Sequence, residues 1–275
     1  MTTRHRAATA ALVLALLVGF AGPGRAEDAK LRLVIAGPQR TEANRVRDPY
    51  RHPLEAMQFF GLRDDMTVVE IWPGGSGWWT EILAPYLLDR GRYYAALPEA
   101  TRSAESRAGR EAFAKKMAAN PALYSKVVVT TFAGDRHPIA PAGSADLVLS
   151  FRNLHNWLTE GTAEGAFRAF YRALKPGGVL GIVDHRADPA RPRAASMKAG
   201  YVREDEAVAL AERAGFKLVA RSDVNANARD SKDYPEGVWS LPPTWREKDK
   251  DRAKYQAIGE SDRFTLKFVK PKTGR

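Results

Sequence analysis

The chain contains no cysteine, which excludes disulfide bridges, thiolate metal centres and thiol nucleophiles. Histidine is scarce as well. None of its five copies is paired at the His-x-x-x-His spacing that sets two imidazoles on one helix face, so no metal site is expected. The formal charge of +11 is spread along the chain, without a long Lys/Arg block. A nucleic-acid surface would gather that charge into a stripe with interleaved aromatics, so no such partner is expected. Internal repeats and long low-complexity tracts are missing too. Gly75-Ser76-Gly77 lacks the Gly-x-Ser-x-Gly spacing of a nucleophile elbow, which disfavours a serine hydrolase.

What is present begins with a targeting pattern. Arg4, His5 and Arg6 precede the apolar run Ala7 to Phe20, and Gly22-Pro23-Gly24-Arg25-Ala26 follows it. The run is short for a bilayer span of about 20 residues. Gly24 and Ala26 stand three and one places before an expected cut, the layout of a secretory signal peptide over 1–26. The mature protein is therefore expected to begin at Glu27 and to reside in the periplasm, with no stable membrane span. Cleavage removes Arg4, Arg6 and Arg25 and no acid, taking the formal charge from +11 to +8. That excess suits acidic small molecules or an anionic surface.

Residues 27–66 read as an N-terminal extension that ends in a helix over Leu54 to Phe60, stopped by Gly61. From Thr67 strands and helices alternate. Strands are expected at Thr67–Ile71, Tyr93–Ala96, Lys126–Phe132, Ala145–Phe151, Val179–Asp184, Phe216–Ala220 and Phe264–Val269. The intervening helices are expected at Thr80–Leu88, Thr101–Ala119, Gly165–Leu174 and Glu204–Ala214, the last with acids in its first turn and Gly215 past its end. This order argues for an α/β, doubly wound and mostly parallel sheet in one domain over 67–275. The stretch 222–262 is long for a connection and holds Trp239, Pro242-Pro243, Trp245 and Tyr255. Leaving a strand at the carboxyl edge, it would sit over a ligand crevice as a cap, or pack its aromatics elsewhere on the surface.

The most informative stretch is Val68-Val69-Glu70-Ile71-Trp72-Pro73-Gly74-Gly75-Ser76-Gly77-Trp78-Trp79-Thr80. A strand ending in an acid, a glycine turn and a helix start bring free backbone N–H groups to the sheet edge, where a nucleotide-like ligand docks. Two further blocks follow in order: Phe132-Ala133-Gly134-Asp135, and the strand Ala145–Phe151 with the turn Leu174-Lys175-Pro176-Gly177-Gly178 before an apolar strand. With these blocks the chain resembles the class I S-adenosylmethionine-dependent methyltransferases, and more narrowly the exported bacterial group of predicted methyltransferases. The resemblance covers roughly 61–222 plus the terminal strand. It implies a Rossmann-like sheet of seven strands with an antiparallel last strand. It also implies S-adenosylmethionine held near Glu70, Gly74, Gly75 and Gly77, with Asp135 beside the adenine. Two positions depart from the family pattern. Trp72 stands where its loop usually begins with glycine, and Leu97 ends the second strand where an acid should hold the ribose, leaving Glu99 as the substitute.

Methyl transfer needs alignment of nucleophile, methyl and sulfur, and a base for a hydroxyl acceptor. Phe151-Arg152-Asn153-Leu154-His155-Asn156-Trp157 follows the fourth strand and so lies at the carboxyl edge. It resembles the His-x-Trp segment of small-molecule O-methyltransferases, which implies His155 as the base; the plainer role is helix capping. Asp184 and His185, ending the fifth strand, offer a second base or an orienting pair, or a loop cap with a solvated ring. His52 and His137 stand in His-Pro turns and serve geometry. The leading reading is an exported methyltransferase acting on a small molecule. A methyltransferase-like binding or scaffold protein without catalysis stays open beside it. An NAD-dependent oxidoreductase is weaker, because position 79 is Trp where Gly-x-Gly-x-x-Gly wants its last glycine.

Overall fold

The computed structural model describes residues 23–272. Seven strands form one sheet: β1 (Thr67–Ile71), β2 (Arg92–Pro98), β3 (Val128–Phe132), β4 (Ala145–Phe151), β5 (Leu174–His185), β6 (Lys217–Ser222) and β7 (Arg263–Val269). Their order is β3-β2-β1-β4-β5-β7-β6. β1 to β5 pair in parallel, and β7 runs antiparallel between β5 and β6. The expected sheet, with its antiparallel last strand, is the one observed.

Neighbouring residues of the central strands face opposite cores. Val69, Ile71, Val148, Leu180 and Ile182 pack with Phe167, Phe170 and Phe264 on one side. Val68, Leu147 and Leu149 pack with Ile82, Leu83 and Tyr86 on the other. Both faces being buried explains why these strands are nearly continuous in apolar residues instead of alternating. Strand order reverses between β1 and β4, so the crevice at a topological switch point opens beyond their carboxyl ends.

Element edges differ from the sequence reading for local reasons. The helix expected from Thr101 starts at Ala104, because the Ser103 hydroxyl accepts the Ser106 N–H at 3.1 Å and caps it. β5 starts earlier, at Leu174. Leu174 pairs with Ala145 and Val179 with Leu147, so Lys175–Gly178 loops out as an irregularity within the strand.

The extension is helical at Pro23–Ala36 and Pro53–Phe60, with one-turn helices at Glu42–Arg45 and Asp48–Arg51. Leu31 packs into the second core, and Lys30 pairs with Asp64 at 2.9 Å. Residues 1–22, which carry most of the expected signal peptide, lie outside the described residues. Among the described residues no helix is long and apolar enough to cross a membrane.

Candidate active site

Two cavities open at the carboxyl edge of the sheet. The first, about 330 Å³, is lined by Trp72, Glu99, Arg102, Phe132, Gly134 and Trp157 among others. The rings of Trp72, Phe132 and Trp157 meet edge to face with centroids 5.2 to 5.9 Å apart. The Arg102 guanidinium lies 4.7 Å over Trp72. Trp72 keeps φ at +51°, a left-handed conformation that is uncommon for a bulky side chain. Glu99 accepts from Arg136 at 2.6 Å and is paired with His137 at 2.9 Å. The His137 hydrogen bond is the main reason its carboxyl is held below the usual range, and Arg136 adds to it.

The other expected cofactor residues are placed differently. Glu70 is turned into the core, where Tyr93 and Thr80 donate to its carboxylate. Burial raises its pKa from 4.5 to about 7, although both hydrogen bonds pull the other way. Asp135 is turned outward and takes two bonds from Arg168, at 2.8 and 2.9 Å. Gly74 and Gly134, with φ of +72° and +64°, have open space where a side chain would start. Gly75 and Gly77 do not. A Cβ on Gly75 would sit 3.1 Å from Ala112, and one on Gly77 3.2 Å from Thr80 and 3.4 Å from Lys116. Their smallness serves packing against the helix Ala104–Ala119.

The first cavity has the chemistry an adenosine moiety needs. Its aromatic walls suit a planar base, Glu99 supplies acceptors for ribose hydroxyls, and bare backbone at Gly134 permits close approach. S-adenosylmethionine fits this donor set. Trp72 is part of the aromatic wall, in contact with Phe132 and Trp157.

The second cavity, about 160 Å³, is lined by Arg152, His155, His185, Trp239, Thr244 and Ser261 among others. Asp184 organises it. Its Oδ2 accepts the N–H of Leu154 at 2.6 Å and of His155 at 3.3 Å, and its Oδ1 accepts the N–H of His185 at 2.7 Å and lies 2.9 Å from His155 Nδ1. Burial works to raise the Asp184 carboxyl, yet the His155 and His185 rings outweigh it and hold it below the usual range. An ionised acceptor at Nδ1 fixes the tautomer and leaves a lone pair on Nε2. Neither Nε2 has a hydrogen-bond partner among the described residues. His185 Nδ1 lies 2.5 Å from Ser261 Oγ, and burial drives the pKa of this ring well down. It is neutral and buried, not the solvated ring of the plainer reading.

Metal-binding spacing is missing from the sequence, yet folding gathers ligating atoms of His155, Asp184 and His185 within 4.8 Å of one another. Both Asp184 oxygens are already occupied by N–H donors, which suits an orienting carboxylate better than a ligand. Asn153 donates to the carbonyl of Ile71 at 2.9 Å and so ties the turn after β4 to the end of β1. The long insertion reaches this cavity through Trp239 and Thr244, with Trp239 6.1 Å from the His155 ring. Ser261, Arg152 and the Arg51 and Arg263 beyond it were not legible as site residues, whereas Trp239 lies in the stretch read as a possible cap. They come from the insertion, the turn after β4, the extension and a strand start, which only folding brings together.

The family model for a methyltransferase domain matches residues 74–182. No curated protein sequence matches the chain. Similar solved structures include a SAM-dependent methyltransferase from Aquifex aeolicus, 18% identical with a TM-score of 0.51, covering 88% of this chain and 98% of that one. An arsenic(III) S-adenosylmethionine methyltransferase from Chlamydomonas reinhardtii is 16% identical at a TM-score of 0.53, over 89% of this chain and 74% of that one. The [4+2]-cyclase SpnF is 17% identical at a TM-score of 0.56, over 91% and 95%.

Proposed function

We propose that this chain is an exported S-adenosylmethionine-dependent methyltransferase that methylates a hydroxyl group of a small molecule with His155 as general base, a reading supported by the methyltransferase-domain match over residues 74–182. The observation that carries the base is the pairing of His155 Nδ1 with the buried Asp184 at 2.9 Å, in a ring that lines the second cavity.

When bound, the cofactor supplies a methyl group on a sulfonium whose leaving group departs as a neutral thioether. Glu99 would hold the ribose hydroxyls, and Trp72, Phe132 and Trp157 would enclose the base. His155 Nε2 accepts the hydroxyl proton as the oxygen attacks. Asp184 keeps the ring in the required tautomer and stabilises the imidazolium, the part an Asp plays toward a catalytic His. His185 stays neutral and holds Ser261 at the cavity wall. Trp239 and its neighbours reduce access of water to the acceptor oxygen, which strengthens the Asp–His interaction.

Export rests on the charged start, apolar run and small-residue exit of residues 1–26. The contacts of the first helix described above, through Lys30 and Leu31, lie beyond the cut, so the cleaved chain retains them.

A substrate screen that reads S-adenosylhomocysteine release tests the mechanism. His155→Ala should lower turnover by about 10²–10⁴-fold and leave S-adenosylhomocysteine affinity unchanged. Undiminished turnover in a folded His155→Ala protein removes the base. Failure of the wild type to bind S-adenosylhomocysteine favours the binding-protein reading.

A further inference from the structure

A small void lies beside the second cavity and shares Arg152 with it; Arg51, Arg263, Trp79, Phe151 and Val183 are among its walls. Four guanidiniums gather there around one carboxylate, Glu260. Arg47 donates to it at 2.8 Å, Arg51 at 3.2 Å and Arg263 at 2.9 Å. Arg152 completes the group electrostatically, and its guanidinium donates to no side chain or carbonyl among the described residues. The Glu260 carboxyl is buried, which alone would raise its pKa, but the four arginines hold it far below the usual range. Asp184 and Asp262 also act on Arg152 and Arg263, but they are themselves paired with His155 and Lys232, so positive charge still exceeds negative charge in the cluster. Arg47 Nη2 and Arg51 Nη2 are buried without a hydrogen-bond partner, and the Arg51 side chain is only 6% exposed.

Uncompensated buried charge against apolar walls is expensive. Glu260 with Arg51 and Arg263 would suffice to fasten the extension to β7. Arg152 adds nothing to that fastening, and its backbone stands at φ +60°, a left-handed conformation uncommon for a non-glycine residue. Strain and unpaired charge thus coincide on a residue lining the cavity that holds His155.

We propose that this enzyme's acceptor is an anion, whose carboxylate or phosphoryl group is bound by Arg152 in the field of Arg51, Arg47 and Arg263 while its hydroxyl lies at His155. This rests on the methyltransferase reading above and narrows its substrate class. A planar guanidinium matches an oxyanion in a two-pronged contact, and the missing negative charge arrives with the ligand. The cavity of about 160 Å³ has room for an acid group on a single ring.

Calorimetric titration of the purified protein with benzoate, phenyl phosphate and uncharged benzyl alcohol tests this. At least one oxyanion should bind, and benzyl alcohol should not. The preferred oxyanion identifies the acid group. Arg152→Gln should weaken that binding about tenfold or more, and Arg152→Lys by less, because it keeps the charge and loses the fork. The inference is overturned if neither oxyanion binds, if benzyl alcohol binds as tightly, or if Arg152→Gln binds like the wild type. Should Arg152→Gln fail to fold, the wild-type comparison and Arg152→Lys decide. S-adenosylhomocysteine is titrated alongside. Its binding without that of an oxyanion defeats this inference alone, and the reverse defeats the methyltransferase mechanism alone.

Discussion

At the scale of single residues, environment and not residue type assigns the roles of the acids. Asp184 and Glu70 both end in carboxylates, both are buried and both belong to strands meeting the same edge. Asp184 has two imidazoles and three backbone N–H groups around it and stays ionised. Glu70 has only two hydroxyl donors, and burial lifts its pKa from 4.5 to about 7. The proton that folded Glu70 retains stabilises the protein fully below pH 4.5, and that contribution is lost as pH rises through 7. The difference amounts to about 3 kcal/mol. Glu70→Gln carries a permanently neutral group and should lack this slope. Urea unfolding at a series of pH values should therefore show the wild type losing stability relative to Glu70→Gln between the two pKa values. Parallel curves would show that Glu70 does not titrate in that window.

At the scale of elements, the glycine turn after β1 couples two helices to the sheet. Gly77 sits at φ +55°, with Thr80 and Lys116 where a side chain would start. The turn is thus clasped by the helix it opens and by the Ala104–Ala119 helix. Gly77→Val would combine a strained backbone with a collision, and should destabilise the fold by roughly 2–4 kcal/mol. Thermal unfolding measures this directly. Loss of S-adenosylhomocysteine binding at unchanged stability would instead place Gly77 against the ligand, as the family resemblance implies. The short helix Leu154–Thr159 acts differently. It turns His155 toward Asp184 and Trp157 toward Trp72 and Phe132, so one helix contributes to both cavities.

For the whole molecule, the extension and the insertion close what the sheet leaves open. Arg47 and Arg51 reach Glu260, more than 200 residues later in the chain, and Trp239 roofs His155. The first helix is held by Leu31 and Lys30, both beyond Ala26. Expression in a bacterial host should therefore yield a folded periplasmic protein whose intact mass begins at Glu27. An uncleaved chain beginning at Met1 in the cytosol would overturn export.

The alternation of apolar strands and amphipathic helices determined the sheet, because burial on both faces imposes composition locally on each strand. Short-range signals likewise placed His155 and Asp184 at the carboxyl edge, since a residue following a parallel strand has few other places to go. Glu99 was legible only through the family resemblance, as a substitute for the acid expected at the end of the second strand, and it lines the first cavity. What tertiary structure alone decided is which way those side chains face. Glu70 turns to Tyr93 and Asp135 to Arg168, and neither partner lies within its own motif. The pairing of Asp184 with His155 spans 29 residues, and the arginine cluster around Glu260 up to 213. Such clusters follow no period of the chain. They arise where separate segments are pressed together by packing, and their charges then settle by partner and burial instead of by sequence neighbours.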